Sequence, residues 1–418
     1  MYDSNNKVHK ILKKYKQEHI IKHLNEENKE ELTKQILNID FEEITELYNQ
    51  AKEKKEININ NIEPINATNP EKIEQEKIIE YRVLGKETIK NAKLAVAIMA
   101  GGQGTRLGHR GPKGSFKLDV GEQGKYLFEI IIDKLKKAKK DYGVYIYCYI
   151  MTSRENNEDT IKFFEKNNYF GYPKTHIKFF MQGEMPLIDE NGKLLIGKDN
   201  LVKLASNGNG GIFNSMLKAG ILKELEDNKI NWVFIGSVDN ALIPLVDELL
   251  LGLAIKSGNQ IATKTIIKND PHEKVGVFCK KAGKVNVIEY TEIPEEMVEA
   301  LDENGEILFG ESHIMCNLFS IEALKKASTK ELKYHVAHKK SSYIDENGML
   351  VNPTKPNCYK FEKFIFDAFT LFDDITILRG KREHDFAPIK NAEGNDSPET
   401  AKKLYEEYWQ INNKCDIV

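Results

Sequence analysis

The sequence contains no apolar stretch long enough to span a bilayer, which excludes a membrane-crossing helix. Its opening, MYDSNNKVHKILKKYKQEHI, lacks both the apolar run and the small-residue cleavage site of a secretory signal. The five cysteines, Cys148, Cys279, Cys316, Cys358 and Cys415, include no Cys-x-x-Cys pair. Their scatter and odd number argue against a disulfide framework or a structural zinc site. Reduced, mostly buried thiols in a cytosolic protein are expected instead. A field of one sign is also missing, because 61 Lys and Arg face 64 Asp and Glu for a net charge of −3. That argues against nucleic acid or an anionic membrane as the main partner, and any phosphate-binding charge must be local. No internal repeat is found. Asn66-Ala67-Thr68 fits a glycosylation acceptor, but without a secretory signal it reads as a chance match.

What is present suits a globular chain of 418 residues with two or three domains. Residues 1–93 are polar, and spaced apolar positions such as Ile11, Leu12, Ile20, Ile21 and Leu24 predict amphipathic helices. Residues 56–72 read as a polar connector leading to Pro70. The texture changes at Leu94. LAVAIMA, YIYCYIMTS, THIKFFMQ and WVFIGSVDN are apolar runs with polar ends, separated by helical candidates such as KYLFEIIIDKLKKAKK, EDTIKFFEKN and GIFNSMLKAGILKELEDN. Such alternation predicts an α/β core with a mostly parallel sheet over residues 94–372. Ligands in such folds sit beyond the carboxyl ends of the strands. Further on, KVGVFCKKAGKVNVIEYTEI reads as antiparallel strands turning at Ala282-Gly283, NCYKFEKFIFDAFTLF as a helix and DITILRG as a strand. Residues 373–418 form a short C-terminal region closing on a helix, with Ser397 as N-cap and Pro398 at its first position.

The segment MAGGQGTRLGHRGPKGSFKL carries the most chemistry. Glycines directly after a buried strand let backbone N–H groups approach a ligand, and consecutive N–H groups form an anion nest. Gly101, Gly102, Gly104 and Thr105 supply that backbone, Arg106 a fork of donors and Lys113 a compact positive charge. A bare Gly-Gly would be only a tight connection between strand and helix. The dinucleotide pattern fails because Leu107 stands where it needs glycine, and the Walker pattern fails because the order is Pro112-Lys113-Gly114-Ser115.

GGQGTRLG followed by PKG resembles the UDP-N-acetylhexosamine pyrophosphorylases of the UDP-sugar pyrophosphorylase superfamily. The resemblance continues in order through FFMQGEMP, SNGNGGIF, VFIGSVDNALI, KVGVFCKKAGKVNVIEYTEI, CNLF, KFEKFIFDAF and REHDFAPIKNAEGNDSPETA, over roughly residues 80–402. It implies a Rossmann-like nucleotidyltransferase core with a helical N-terminal region and a short C-terminal extension contributing Lys390.

The resemblance implies UTP against the glycine loop, with Arg106, Lys113 and Lys390 at its phosphates and Gln182 reading the uracil edge. An amide offers both a donor and an acceptor for that task. Gly208, Asn209 and Gly210 match a loop at the uracil and sugar, although Asn-Gly is also an ordinary turn pair. Asp239, at the polar end of WVFIGSV, matches a Mg²⁺ ligand, where a lone aspartate would otherwise serve as an N-cap. Gly276, Glu289 and Asn317 match positions lining the sugar pocket. The implied reaction joins UTP to N-acetylglucosamine-1-phosphate, reversibly and without a general base. A different UDP-sugar pyrophosphorylase and a silent nucleotide-sugar sensor are the alternatives, and the glucosamine and galactosamine epimers stay open. Family members of the animal and fungal type carry a further β-rich domain after the block matching Lys390, whereas a short tail follows here. A monomer is therefore expected.

Overall fold

The apolar run Leu94–Met99 is a wholly buried strand in the computed structural model, which describes residues 2–53 and 61–415. The described residues fall into two units, the larger built from 61–182, 212–331 and 366–415. Within it, ten strands of the described residues form one sheet. They are β1 (Ile62–Pro64), β2 (Leu94–Met99), β3 (Cys148–Thr152), β4 (Ile177–Met181) and β5 (Trp232–Ser237). The others are β6 (Ile261–Ile267), β7 (Val277–Lys281), β8 (Lys284–Ile288), β9 (Glu311–Ser320) and β10 (Thr376–Arg379). The order is β1-β7-β9-β5-β2-β3-β4, with β6 against β9 and β10, and β8 against β7.

The central run β5-β2-β3-β4 is parallel, as the alternation of strands and helices predicts. Antiparallel pairs flank it around β9. The β7–β8 hairpin turns at Ala282 and Gly283 with φ of 51° and 75°, the left-handed pair that matches strand twist. Helix Gln75–Lys90 packs on helix Glu248–Ser257 with almost no separation. A Cβ on Gly85 would lie 2.0 Å from Glu248 O, and one on Gly252 1.7 Å from Tyr81 O. The terminal helix Pro398–Cys415 starts as expected, with Ser397 Oγ accepting from Thr400 N at 3.4 Å. Cys148, Cys279, Cys316 and Cys358 are free, buried thiols.

The smaller unit comprises residues 2–53, 183–211 and 332–365 of those described. Helices Tyr2–Lys14, Lys29–Asn38 and Phe41–Lys52 confirm the N-terminal helical pattern. Asp40 caps the third by accepting from Glu42 N and Glu43 N. Their apolar faces, including Leu12, Leu32, Ile36 and Ile44, pack with Ile188, Leu194, Val202 and Phe361.

Three features depart from the sequence reading. The three consecutive regions 1–93, 94–372 and 373–418 do not coincide with the two units, because helical periodicity marks an apolar face without naming what covers it. The connector expected over 56–72 contains β1, which pairs with β7, and Thr68 N donates to Ile377 O at 2.8 Å; residues 56–60 of that stretch lie outside the described residues. NCYKFEKFIFDAFTLF is not one helix. Cys358–Glu362 is a strand paired with His335–Lys339, and only Ile365–Leu371 is helical, as 3-10 turns. Strand pairing overrides local helical spacing there. No described helix is long and apolar enough to cross a membrane.

Candidate active site

β2 ends with Met99 beside Ser237 of β5 and Met151 of β3, so three strands present their carboxyl ends together. The chain then leaves and returns in a closed loop. Lys113 N donates to Gly102 O and Gly104 N to Gly111 O, each at 3.0 Å. One turn of 3-10 helix, Thr105–Leu107, ends at Gly108 with φ 67°. Among the described residues, the N–H groups of Gly101, Gly102, Gln103, Thr105 and Arg106 have no intramolecular partner. A cluster of such donors in one loop is the anion nest expected from the glycines. Thr105 and Arg106 are exposed.

Two contacts fix the loop. Asn156 is fully buried beneath it, and its Nδ2 donates to Ala100 O at 2.9 Å and to Gly102 O at 3.2 Å. Its Oδ1 accepts from Ser153 N at 2.8 Å, which settles the amide orientation. Gln182 lies against Gly101, since a Cβ there would stand 2.8 Å from both Gln182 amide atoms. Glycine at 101 is what admits the glutamine.

Lys113 reaches across to Asp239, with Nζ 3.3 Å from Oδ2 and the two side chains 17% and 22% exposed. Burial favours the neutral form of Asp239, but Lys113, Lys390 and the Ser237 hydroxyl outweigh it and hold the carboxyl below its usual range. Lys390 arrives on a returning segment. Ile389 N donates to Asp239 O at 2.9 Å, and Lys390 Nζ lies 3.3 Å from Asp396 Oδ2 and 5.5 Å from the Phe386 ring centroid. Two lysines thus flank the Asp239 carboxylate, and Asp396 pairs with the second of them.

The remaining predicted residues form separate groups. Gly276 and Glu289 are neighbours, since a Cβ on Gly276 would lie 3.5 Å from Glu289 Oε1 and 2.8 Å from Val287 Cγ1. Asn317 on β9 is wholly buried, and its Oδ1 accepts from Thr263 Oγ1 at 3.0 Å and His313 Nε2 at 2.9 Å. Its Nδ2 meets only the Met315 thioether, at 3.7 Å, among described atoms. Gly208, Asn209 and Gly210 belong to the smaller unit. Gly208 has φ 89° and leaves no room for a Cβ beside Lys363 O. Gly210 N donates to Lys363 O at 2.8 Å, and Asn209 Oδ1 accepts from Ile365 N at 2.7 Å. Asn209 therefore holds its own loop with the oxygen.

Sequence reasoning missed Asn156 and Asn240. Asn240 Nδ2 donates to Asp385 O at 2.7 Å, and its Oδ1 accepts from Ala387 N at 2.8 Å. The only available signal for Asn240 is its place directly after Asp239, and Asn156 has none. A cavity of about 700 Å³ lies at the opposite ends of β2 and β5, lined by Lys93, Asn231, Trp232 and Gln260, away from the glycine loop.

The family described as UTP–glucose-1-phosphate uridylyltransferase matches residues 39–402. The chain is 37% identical over 338 residues to a UDP-N-acetylglucosamine pyrophosphorylase of Saccharomyces cerevisiae, covering 78% of this chain and 71% of that one. It is 32% identical to UDP-N-acetylglucosamine diphosphorylase 2 of Arabidopsis thaliana, covering 94% and 82%. Among solved structures, the uridine diphosphate N-acetylglucosamine pyrophosphorylase of Trypanosoma brucei, in complex with an inhibitor, superposes with a TM-score of 0.80 at 30% identity, covering 97% of this chain and 84% of that one.

Proposed function

The chain belongs to the UTP–glucose-1-phosphate uridylyltransferase family, and we propose that within it the protein joins UTP to N-acetylglucosamine-1-phosphate, giving UDP-N-acetylglucosamine and pyrophosphate. The observation that carries this reading is the set of unpartnered N–H groups beside the Lys113–Asp239–Lys390 cluster.

A phosphate oxygen of the sugar 1-phosphate attacks the α-phosphorus of UTP. The new P–O bond forms as the α–β bridging bond breaks, and the electron pair leaves with pyrophosphate. The nucleophile is already anionic, so no proton has to move. Catalysis then rests on alignment and charge neutralisation. The loop N–H groups and Arg106 hold the β- and γ-phosphates, and Lys113 and Lys390 balance charge on the transferring group. Gln182, pressed on Gly101, is the donor and acceptor for uracil. Gly276, Glu289 and Asn317 are assigned to the sugar.

Mg²⁺ is part of the same reading. The residue that would hold it is Asp239, an oxygen donor kept ionised by Lys113, Lys390 and the Ser237 hydroxyl against its burial. Mg²⁺ takes one or two carboxylates together with substrate phosphates. When bound at Asp239, the ion supplies charge neutralisation to the phosphates. A monomer working in the cytoplasm, on small molecules and without nucleic acid or membrane, completes the proposal.

The test is pyrophosphate release from UTP with the 1-phosphates of N-acetylglucosamine, N-acetylgalactosamine and glucose. Higher kcat/KM for the N-acetyl sugars is expected. An acetamido pocket leaves polar groups unpaired against glucose, at about 1–3 kcal/mol each. Equal or better use of glucose-1-phosphate would remove the N-acetylhexosamine assignment. Silence with all three would leave a sensor.

A further inference from the structure

Behind Asp239 and Lys390 lies a buried polar assembly that touches no predicted substrate group. Lys264 on β6 is 7% exposed, with Nζ 2.7 Å from Asp247 Oδ2 and 2.6 Å from Asp385 Oδ1. Asp247 is also the N-cap of helix Glu248–Ser257, its Oδ1 accepting from Leu249 N and Leu250 N at 2.9 Å. Asp385, 6% exposed, closes the short helix Arg382–Asp385 and is held at three atoms. Oδ1 meets Lys264, Oδ2 accepts from Lys381 N at 3.0 Å, and its main-chain O accepts from Asn240 Nδ2.

Asn240 reads the same segment twice. Its Nδ2 and Oδ1 engage Asp385 O and Ala387 N, two residues apart. Ala241 N donates to Ala387 O at 3.0 Å, and Ile389 N to Asp239 O at 2.9 Å. Slippage by one residue would break every one of these bonds and carry Lys390 away from Asp239.

Burying a lysine between two carboxyl groups seldom adds stability over apolar residues of similar volume. What this arrangement adds is register. We propose that Lys264, Asp385 and Asn240 are positioning residues for uridylyl transfer, a brace that sets where Lys390 stands relative to Asp239. The inference rests on the proposed function. None of Lys264, Asp385 and Asn240 is among the residues assigned to nucleotide or sugar, so the effect of the brace belongs in kcat and passes through Lys390.

A double-mutant cycle reads this directly. Asp385→Asn, Lys390→Ala and the double variant are assayed for pyrophosphate release at saturating UTP and sugar 1-phosphate, with thermal melts alongside. Lys390→Ala alone should lower kcat by about 10²–10³. Asp385→Asn should lower kcat by about tenfold or more while moving KM less than about threefold. In the Lys390→Ala background, Asp385→Asn should remove less than about a further threefold. Additive losses, or an unchanged kcat with only a lower melting temperature, would overturn the brace. Should Asp385→Asn fail to fold, Asn240→Ala enters the same cycle with the same criteria. A wild-type protein inactive with every sugar 1-phosphate removes the proposed function and the brace together. An active wild type with an additive cycle removes the brace alone.

Discussion

Replacing Lys113 with alanine probes the active-site reading most directly. The lysine's main-chain N–H bonds Gly102 O, and alanine keeps that bond, so the loop closure survives. What disappears is one ammonium group, 3.3 Å from Asp239 and 17% exposed. One lost transition-state charge contact lowers turnover by about 10²–10³, or roughly 3–4 kcal/mol of barrier. A second effect follows from the same pair. Lys113 is the stronger of the two cations holding Asp239 ionised, with Lys390 behind it. Without it, burial counts for more and the Asp239 carboxyl rises toward its ordinary range. Any fall in turnover on the acid side should then begin at higher pH than in the wild type. The assay is kcat for pyrophosphate release at saturating UTP and N-acetylglucosamine-1-phosphate across the acid range, with circular dichroism melts to confirm folding. A kcat within about threefold of wild type at neutral pH would refute the reasoning, because it falls far short of the loss typical of a transition-state charge contact.

Asp239→Asn should remove most magnesium-dependent turnover, since the amide keeps the shape but not the charge; an unchanged magnesium titration would move the metal elsewhere. Burial pushes His313 down to about 4, against its hydrogen bond to Asn317. Its folded value lies below the unfolded one, so the stability it contributes is present above pH 6.5 and lost as pH falls toward 4. The stability advantage of wild type over His313→Gln in urea should therefore shrink by roughly 2–3 kcal/mol between pH 7.5 and 4.5, and a constant difference would contradict a neutral buried imidazole. Gly252→Ala should destabilise by about 1–3 kcal/mol or more, because the new methyl meets Tyr81 O at 1.7 Å. An unchanged urea midpoint would mean the two helices separate freely.

The sequence made the strand ends and the glycine loop legible because both are local. A buried apolar run, its polar terminus and the residues just beyond it occupy consecutive positions, which points to Gly101, Arg106 and Lys113, whereas the same rule left Asp239 open between an N-cap and a metal ligand until the family resemblance was added. The supports were illegible because they are not local. Asn156 holds a loop more than 50 residues upstream, Asn240 a segment nearly 150 downstream, and Lys264 pairs with carboxylates on either side of it in the chain. One polar residue in an apolar neighbourhood carries no period to detect. Asn209 shows the converse, since a residue matched to sugar binding uses its oxygen on Ile365 N. At 358–362 the helical spacing was real but lost to pairing with 335–339.

The makeup of the smaller unit bears on how the chain folds as it is made. Its first three helices are complete by Lys52, yet the residues that cover their apolar faces include Ile188, Leu194 and Phe361. A ribosome adding about 5–20 residues per second must run for tens of seconds before Phe361 emerges. During that interval Leu12, Leu32, Ile36 and Ile44 lack their final partners, while residues of the larger unit's sheet are being synthesised in between. Contacts this distant in sequence also slow refolding of the finished chain. Nascent chains from which Phe361 has not yet emerged should therefore expose the N-terminal helices to protease, and chains long enough for Ile365 to have left the ribosome should protect them.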